Sequence, residues 1–432
     1  MINRNKERLR NFVDYISGLY EKSATTITFK VTEDCNLKCS YCYQTNKSKS
    51  VMNFNTAKKF IDDILSDKLD YINTSRYAGA VIEFIGGEPL LEIELIEKIC
   101  EYWDKRIIEL NHPWSGKYRF NICSNGVLYF DERVQNFLKK YHSVLSFGIS
   151  LDGNKQLHDS CRVFPNGQGS YDVASKAVKY HIKNYDPYMS TKMTLAPQNL
   201  SYIYEAIVSM IEEIGYKEIY LNCAYEDIWK KEDEYILFSQ LKQVADYLVN
   251  TGKYEDTYLS IFDEYGFRHT DNSNTQNYCG GNGSMIAVDY KGHIYPCIRY
   301  MESSLGFSQK PLKIGDIYSG IGESLVEKDA LKSLTSVNRV SQSTQECLDC
   351  SINSNCGYCS ALNYQTYGTV NKRTTFTCGM HKARALANVY YWNKVYLKEN
   401  MSDVFPLNLP DEECLKIISK DELTELKSLL AR

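Results

Sequence analysis

Three cysteines, Cys35, Cys39 and Cys42, share the string CNLKCSYC directly after the apolar run Thr26–Thr32. Thiolates at this spacing can close a tight loop around one cubane iron–sulfur cluster. Three of them leave its fourth iron open to a ligand. An open iron can bind and activate a molecule, whereas a four-cysteine site passes electrons or braces the fold. Structural zinc wants four ligands, often as two CxxC pairs, and no fourth partner stands near this string. The chemistry to expect is reductive activation of a ligand held at an iron–sulfur site.

A second cysteine field spans Cys279 to Cys378. CGGNGSMIAVDYKGHIYPC carries Cys279 and Cys297 around a hairpin-like DYKGH turn. CLDCSINSNCGYC carries Cys347, Cys350, Cys356 and Cys359, and Cys378 follows. Fifteen cysteines in 432 residues fit either secreted disulfides or metal and cluster ligands in a reducing cytosol. The start, MINRNKERLRNF, is charged and has no apolar centre, so it is not a secretory signal. With the CxxC-type clustering, this favours clusters and a cytoplasmic protein over disulfides or structural zinc. Of the remaining cysteines, Cys100 falls in an apolar helix and Cys123 and Cys223 in strands, where buried structural thiols are the default. Cys161 and Cys414 have no assigned role.

The elements that position these groups alternate. Strands are expected at Ile27–Thr32, Val81–Ile85, Arg119–Cys123, Leu145–Leu151, Lys192–Leu195 and Ile219–Cys223. Helical stretches are expected at Asn55–Leu69, Leu91–Leu110, Glu132–Tyr141, Asp172–Asn184 and Ser201–Ile214. Such alternation implies βαβ units and a parallel sheet. Six units are too few for a closed eight-stranded barrel, so the fold class is α/β with an open, partial (β/α)6 barrel. Functional loops should follow the carboxyl ends of its strands. CNLKCSYC, GGEP (Gly86–Pro89), SNG (Ser124–Gly126) and SLDG (Ser150–Gly153) all fall there. In GGEP the glycines allow close backbone approach to a ligand, and Glu88 can accept from an ammonium group. After SLDG come His158 and Asp159, which read as structural, and Arg162, whose planar fork suits a carboxylate.

Composition narrows the class further. Hydrophobic content of 43% with 13% aromatics suffices for a packed core. Net charge is −4 with acids and bases interspersed and no basic block, so nothing suggests nucleic-acid binding. No apolar run approaches the ~20 residues that span a bilayer, so no membrane is implied.

CNLKCSYC followed by GGEP, SNG and SLDG resembles the radical S-adenosylmethionine (radical SAM) enzymes, and the second cysteine field resembles their SPASM extension. The likeness covers about Thr26–Lys394. It implies a partial radical SAM barrel with a carboxyl-terminal SPASM domain carrying two auxiliary iron–sulfur clusters. The implied cofactors are SAM and three 4Fe–4S clusters. Cys35, Cys39 and Cys42 would hold the SAM-binding cluster. SAM would meet Tyr41 (beside adenine), Gly86, Gly87 and Glu88 (at the methionyl amine), Ser150 and Arg162 (at the carboxylate), Asn125 and Asp152 (near the ribose) and Leu195. One auxiliary cluster would take Cys347, Cys350, Cys356 and Cys378. The other would take Cys279, Cys297 and Cys359 with no fourth cysteine, since Met285 stands where some relatives carry it. Its remaining iron is then open to a substrate thiolate, or takes a distant cysteine, His293 or an acid.

The family usually puts three residues between the last pair of the four cysteines; here Gly357 and Tyr358 give two. With ALNYQTYG and KARALANVYYWNK beyond, this variant resembles the thioether-forming (sactipeptide and ranthipeptide) maturases of cysteine-rich ribosomal peptides. The expected activity is thioether cross-linking of a cysteine-containing precursor peptide through a 5′-deoxyadenosyl radical. Carbon–carbon cyclisation, epimerisation and formylglycine formation on sulfatases are the alternatives, and a multi-cluster electron carrier is the reading from another class. Expected partners are the peptide, reduced flavodoxin or ferredoxin, and a separate leader-recognition protein. No catalytic base can be named. The expected organisation is a helical extension over 1–25, barrel 26–230, helical bridge 231–275, SPASM domain 276–385, and a final helix and tail over 386–432.

Overall fold

The structure is a computed structural model, and it describes residues 24–69, 71–226, 229–264, 279–305, 308–353 and 356–431. Apolar residues alternate in the first strands because one face packs under helices. In β2 (Ala80–Ile85) Ala80, Ile82 and Phe84 are buried while their neighbours are half-buried. β1 (Thr25–Lys30), β3 (Tyr118–Ser124) and β4 (Leu145–Ile149) lie parallel to it in the order β1-β2-β3-β4. The register aligns Phe29, Phe84, Ile122 and Phe147 in one row, and the Phe29 and Phe84 rings stack at 5.8 Å.

Helices cover that row. Phe54–Leu65 is capped by the Asn53 side chain and Glu132–Tyr141 by Asp131. Ile93–Glu109 buries Ile96, Ile99, Cys100, Trp103 and Ile107, which fall on one face at helical spacing.

β5 (Ser190–Leu195), β6 (Glu218–Cys223) and β7 (Tyr258–Leu259) form a separate parallel ladder. The six expected strands are therefore present, but the barrel is split between β4 and β5, which pack without a ladder. The Thr191 hydroxyl bridges the gap: it donates to Ile149 O (2.9 Å) and accepts from Leu151 N (3.2 Å).

The carboxyl-terminal part joins the same sheet. β8 (Met285–Val288) runs parallel to the free edge of β1, pairing Thr26 with Met285 and Phe29 with Val288. β9 (His293–Tyr295), β10 (Gly315–Asp316) and β11 (Gly320–Ile321) continue outward as antiparallel strands, which covers an edge that would otherwise stay unpaired. DYKGH makes the expected turn: Asp289 Oδ1 accepts from Lys291 N and His293 N, and Gly292 takes φ +87°.

Lys231–Thr251 packs along Cys378–Lys398, so the expected boundary after 385 falls inside one helix. The expected extension over 1–25 lies almost wholly outside the described residues, as do residues 265–275 of the bridge. Among the described residues no helix is long and apolar enough to cross a membrane.

Candidate active site

Main-chain bonds fasten the first cysteine loop. Lys38 N donates to Val163 O (2.8 Å) and Ser40 N to Cys161 O (2.9 Å), which pins the loop to the segment after SLDG. From the other side Gly87 N donates to Thr32 O (3.2 Å) and Glu88 N to Asp34 O (2.8 Å). A Cβ at Gly87 would lie 2.2 Å from Asp34 O and 2.8 Å from the Cys35 Cβ. The glycine thus lets GGEP close against the cysteine loop itself, a contact the expected approach to a ligand did not foresee.

Glu88 is buried and its carboxylate is already engaged. It accepts from Ser124 Oγ (2.7 Å), Asn125 N (2.8 Å) and Leu90 N (3.0 Å), tying the end of β2 to the end of β3. Burial pushes its carboxyl upward against those same three hydrogen bonds. Asn125 Nδ2 donates to Asn36 Oδ1 (2.7 Å) and stands 4.0 Å from Cys35 Sγ, so it braces the cysteine loop.

Asp152 collects a second group. Its Oδ2 accepts from Arg162 Nε (2.7 Å) and from the Tyr41 hydroxyl, and the guanidinium lies 5.4 Å over the Tyr41 ring. Among the described residues the Arg162 Nη atoms make no hydrogen bond, which leaves the two donors that a carboxylate needs. Asp152 N donates to His158 Nδ1 (3.2 Å), and His158 Nε2 faces Ser170 Oγ (3.0 Å). His158 is fully buried, and burial lowers it to about 4. Ser150 is half-buried, its Oγ 3.7 Å from Cys123 Sγ. Leu195 is fully buried at the end of β5.

Gly86, Glu88, Asn125, Ser150, Asp152 and Arg162 therefore converge with Tyr41 where β2, β3 and β4 meet the cysteine loop. Two participants carry no motif in the sequence. Gln44 Nε2 donates to Gly86 O (3.0 Å). Although burial opposes it, the field of Cys42 and Cys35 holds the Lys47 ammonium above its ordinary value, with a hydrogen bond to Cys42. Burial pushes the Cys35 thiol up and takes Cys39 to about 11. Such thiols lose their protons when a metal takes the sulfur. Three cysteines in one pinned loop, with a lysine donating to one of them, fit an iron–sulfur cluster, and the polar groups beside them fit SAM.

The second field divides into two sets. Cys297 lies in the field of Cys359 and Cys279, and burial pushes it strongly upward. Cys356 lies in the field of Cys378, Cys350 and Cys347, and burial takes it to about 11. Cys359 caps the helix Ser360–Tyr367 and Cys378 opens the helix Cys378–Lys398. Helix amino ends favour thiolate charge. Among the described residues no three Cys, His, Asp or Glu side chains converge as one metal ion requires. A cubane spreads its thiolates over separate irons and needs wider spacing.

His293 has other partners: Nδ1 lies 3.3 Å from Asp289 and Nε2 3.9 Å from Asp316. Cys100, Cys161, Cys223 and Cys414 are buried. Cys123 corrects the default reading: it is exposed, because Arg119 and Cys123 sit on the face of β3 opposite buried Phe120, Ile122 and Ser124.

Residues 29–209 match the model of the radical SAM superfamily. The chain is 30% identical over 272 residues to an uncharacterized protein of Methanocaldococcus jannaschii, covering 63% of this chain and 84% of that one. This chain belongs to the radical SAM superfamily. Two further relatives of this radical SAM enzyme have described roles. A cysteine-type anaerobic sulfatase-maturating enzyme of Clostridium perfringens is 25% identical over 62% of this chain and 72% of its own length. The antilisterial bacteriocin subtilosin biosynthesis protein AlbA of Bacillus subtilis is 21% identical over 80% of this chain and 69% of its own.

Two solved structures share the fold. The enzyme anSMEcpe with bound AdoMet and Cp18Cys peptide has a TM-score of 0.64 at 18% identity, covering 87% of this chain and 99% of that one. Streptococcus suis SuiB bound to precursor peptide SuiA has a TM-score of 0.55 at 17% identity, covering 86% of this chain and 80% of that one. The radical SAM fold with a SPASM-type extension is thereby established for this chain.

Proposed function

We propose that this radical SAM enzyme installs thioether cross-links in a cysteine-containing precursor peptide. When bound, the cluster on Cys35, Cys39 and Cys42 and its SAM supply one electron and a 5′-deoxyadenosyl radical that takes hydrogen from the acceptor residue. The chain's own residues bind and orient. Arg162 offers its terminal nitrogens to the SAM carboxylate while Asp152 and Tyr41 hold its position. Glu88 fixes Asn125 and the GGEP turn around the loop. Lys47 balances the thiolate charge.

The observation that carries the reading is the unequal division of the second field. Cys279, Cys297 and Cys359 number three, the set of Cys356 numbers four, and the five cysteines outside both fields stand on other elements. A three-cysteine site is suited to receive a peptide thiolate as its fourth donor. A four-cysteine site is suited to carry the surplus electron. A relative named for bacteriocin biosynthesis and a fold shared with a protein bound to a precursor peptide support a peptide substrate. Reduced flavodoxin or ferredoxin would deliver the electron, and a separate protein would present the leader.

Anaerobic co-expression with a cysteine-rich precursor tests this. Each cross-link removes two hydrogens from the peptide mass, and the anaerobically reconstituted, reduced protein releases 5′-deoxyadenosine. A pure electron carrier would release none. Peptide epimerisation is the second reading, favoured by Cys123, whose exposed thiol beside Ser150 could return a hydrogen atom. It would leave the mass unchanged in ordinary water and add one deuterium per site in heavy water. Formylglycine formation would instead leave an aldehyde.

A further inference from the structure

Among the described residues, a buried cation stands against the four-cysteine set with no carboxylate to answer it. Arg373 is 8% exposed. Its Nη2 donates to Cys356 O (2.7 Å), Gly357 O (3.1 Å) and Cys356 Sγ (3.0 Å). Its guanidinium lies 5.4 Å over the Tyr358 ring. Its main-chain N donates to Gln342 O (2.9 Å), and Thr374 N next to it donates to Asn363 Oδ1 (3.0 Å). Among the described residues it forms no ion pair with an acid. The other cations near these cysteines are paired: Lys382 with Glu413, and Arg299, which faces Cys297 and Cys359, with Glu226 at 3.2 Å. An unpaired buried charge is costly, and the anion within reach of Arg373 is the cysteine ligand itself.

The three-cysteine set is treated differently. The Tyr300 hydroxyl donates to Ser360 Oγ (3.0 Å), and that oxygen lies 2.8 Å from Cys279 Sγ. That chain is neutral. Cluster potentials depend on net charge and on hydrogen bonds to sulfur, and a charged donor acts about twice as strongly as a neutral one. Four thiolates alone would make the outer cluster the more negative and the harder to reduce. Arg373 offsets that excess.

We propose that Arg373 is a positioning residue for the electron: a built-in counter-charge at Cys356 that makes the cluster on Cys347, Cys350, Cys356 and Cys378 the easier auxiliary cluster to reduce. This rests on the thioether reading for its use. In coupling, one C–H and one S–H give one C–S bond. A hydrogen atom leaves on the deoxyadenosyl group, a proton leaves to solvent, and one electron remains. The cluster that Cys347, Cys350, Cys356 and Cys378 would hold could take up that electron, and an oxidised flavodoxin- or ferredoxin-type carrier would be its final acceptor.

The test is a redox titration followed by electron paramagnetic resonance. It uses the full-length, reconstituted chain carrying Cys35→Ala, Cys39→Ala and Cys42→Ala, so that only the auxiliary signals remain. The signal lost on Cys378→Ala identifies the outer cluster. Arg373→Gln, which keeps donors but loses the charge, should lower the outer one-electron equilibrium at least tenfold, about 59 mV, and leave the inner one in place. Arg373→Lys should stay within about threefold of the parent. Iron lost with glutamine but kept with lysine supports the proposal too. An outer potential unmoved by glutamine overturns it. So does an equal fall with lysine, or iron lost from both variants, since Arg373 would then be only a brace. A peptide of unchanged mass would remove the thioether reading and leave these potentials standing.

Discussion

The two cysteine regions are held by different balances of main-chain and side-chain contacts. The amino-terminal loop is fixed mainly by main-chain atoms, with Asn125 as its side-chain brace: Lys38 N and Ser40 N donate to carbonyls after SLDG, and Glu88 N donates to Asp34 O. The carboxyl-terminal field is fixed by side chains. Asn363 reaches Gln342 and Val370, Arg373 holds Cys356 and Gly357, and Ser360 links Tyr300 to Cys279. A loop held by its backbone tolerates side-chain change except where a new atom collides. A field held by side chains loses its geometry when one functional group is removed.

Gly87→Ala should give the largest effect, because the added carbon would meet Asp34 O at 2.2 Å, and that oxygen is main chain with no rotamer to retreat into. Deoxyadenosine release should fall at least ~100-fold, while iron bound by the second field stays in place. A displacement of this size at the reacting geometry is known to cost about that factor. Measured nucleoside release near the parent's rate would break the contrast.

Asn363→Ala reverses the pattern. The fully buried amide donates to Gln342 Oε1 (3.0 Å) and Val370 O (3.2 Å) and accepts from Thr374 N (3.0 Å). Each buried partner left unsatisfied costs roughly 1–3 kcal/mol. Denaturant titration should show a loss of about 3 kcal/mol, with outer-cluster iron lost before nucleoside release declines. If release fails first, the two regions are not separately held.

Acid tests the segment that pins the amino-terminal loop. His158 is held neutral by burial, at about 4 in the folded state against ~6.5 unfolded. The unfolded chain therefore takes the proton first. Stability is full above pH ~6.5 and is lost as pH falls toward 4, by about 3 kcal/mol at 1.36 kcal/mol per unit. His158→Gln should flatten that part of the stability curve. A parent and variant with the same slope between these limits would show that the imidazole carries no such cost.

The same contrast explains what could be read from the sequence. GGEP, SNG and SLDG were legible as site motifs because each follows a strand in a chain that already carries CNLKCSYC; alone, such glycines and short polar residues are ordinary turn formers. The cysteine spacings were legible because a cubane constrains them locally. Thr191, Gln44, Lys47 and Arg373 were not, since each acts across space on a partner with no fixed sequence offset. Nor was the pairing of β8 with β1, which joins Thr26 to Met285 through two unremarkable strand edges. The exposure of Cys123 follows from which face of β3 the helices cover, and that depends on register rather than on composition.

Tyr41 gives the smallest and sharpest test, because two roles for it predict opposite results. If its ring serves by packing on adenine, Phe should serve equally and Ala should fail. The geometry instead employs the hydroxyl, which donates to Asp152 Oδ2, the same oxygen that holds Arg162 Nε at 2.7 Å. Phe keeps the ring under the guanidinium and removes that donor, which leaves Asp152 with Arg162 and the more distant Thr194 N at 3.4 Å. A hydrogen bond to a charged group is worth about 1.5–3 kcal/mol when buried, and Arg162 retains part of it. Tyr41→Phe should therefore weaken SAM binding about three- to tenfold by equilibrium dialysis and leave the rate at saturating SAM unchanged. Arg162 would still carry its charge but wander from the carboxylate. Binding equal to the parent's would return Tyr41 to the adenine and leave Asp152 as the sole guide of Arg162.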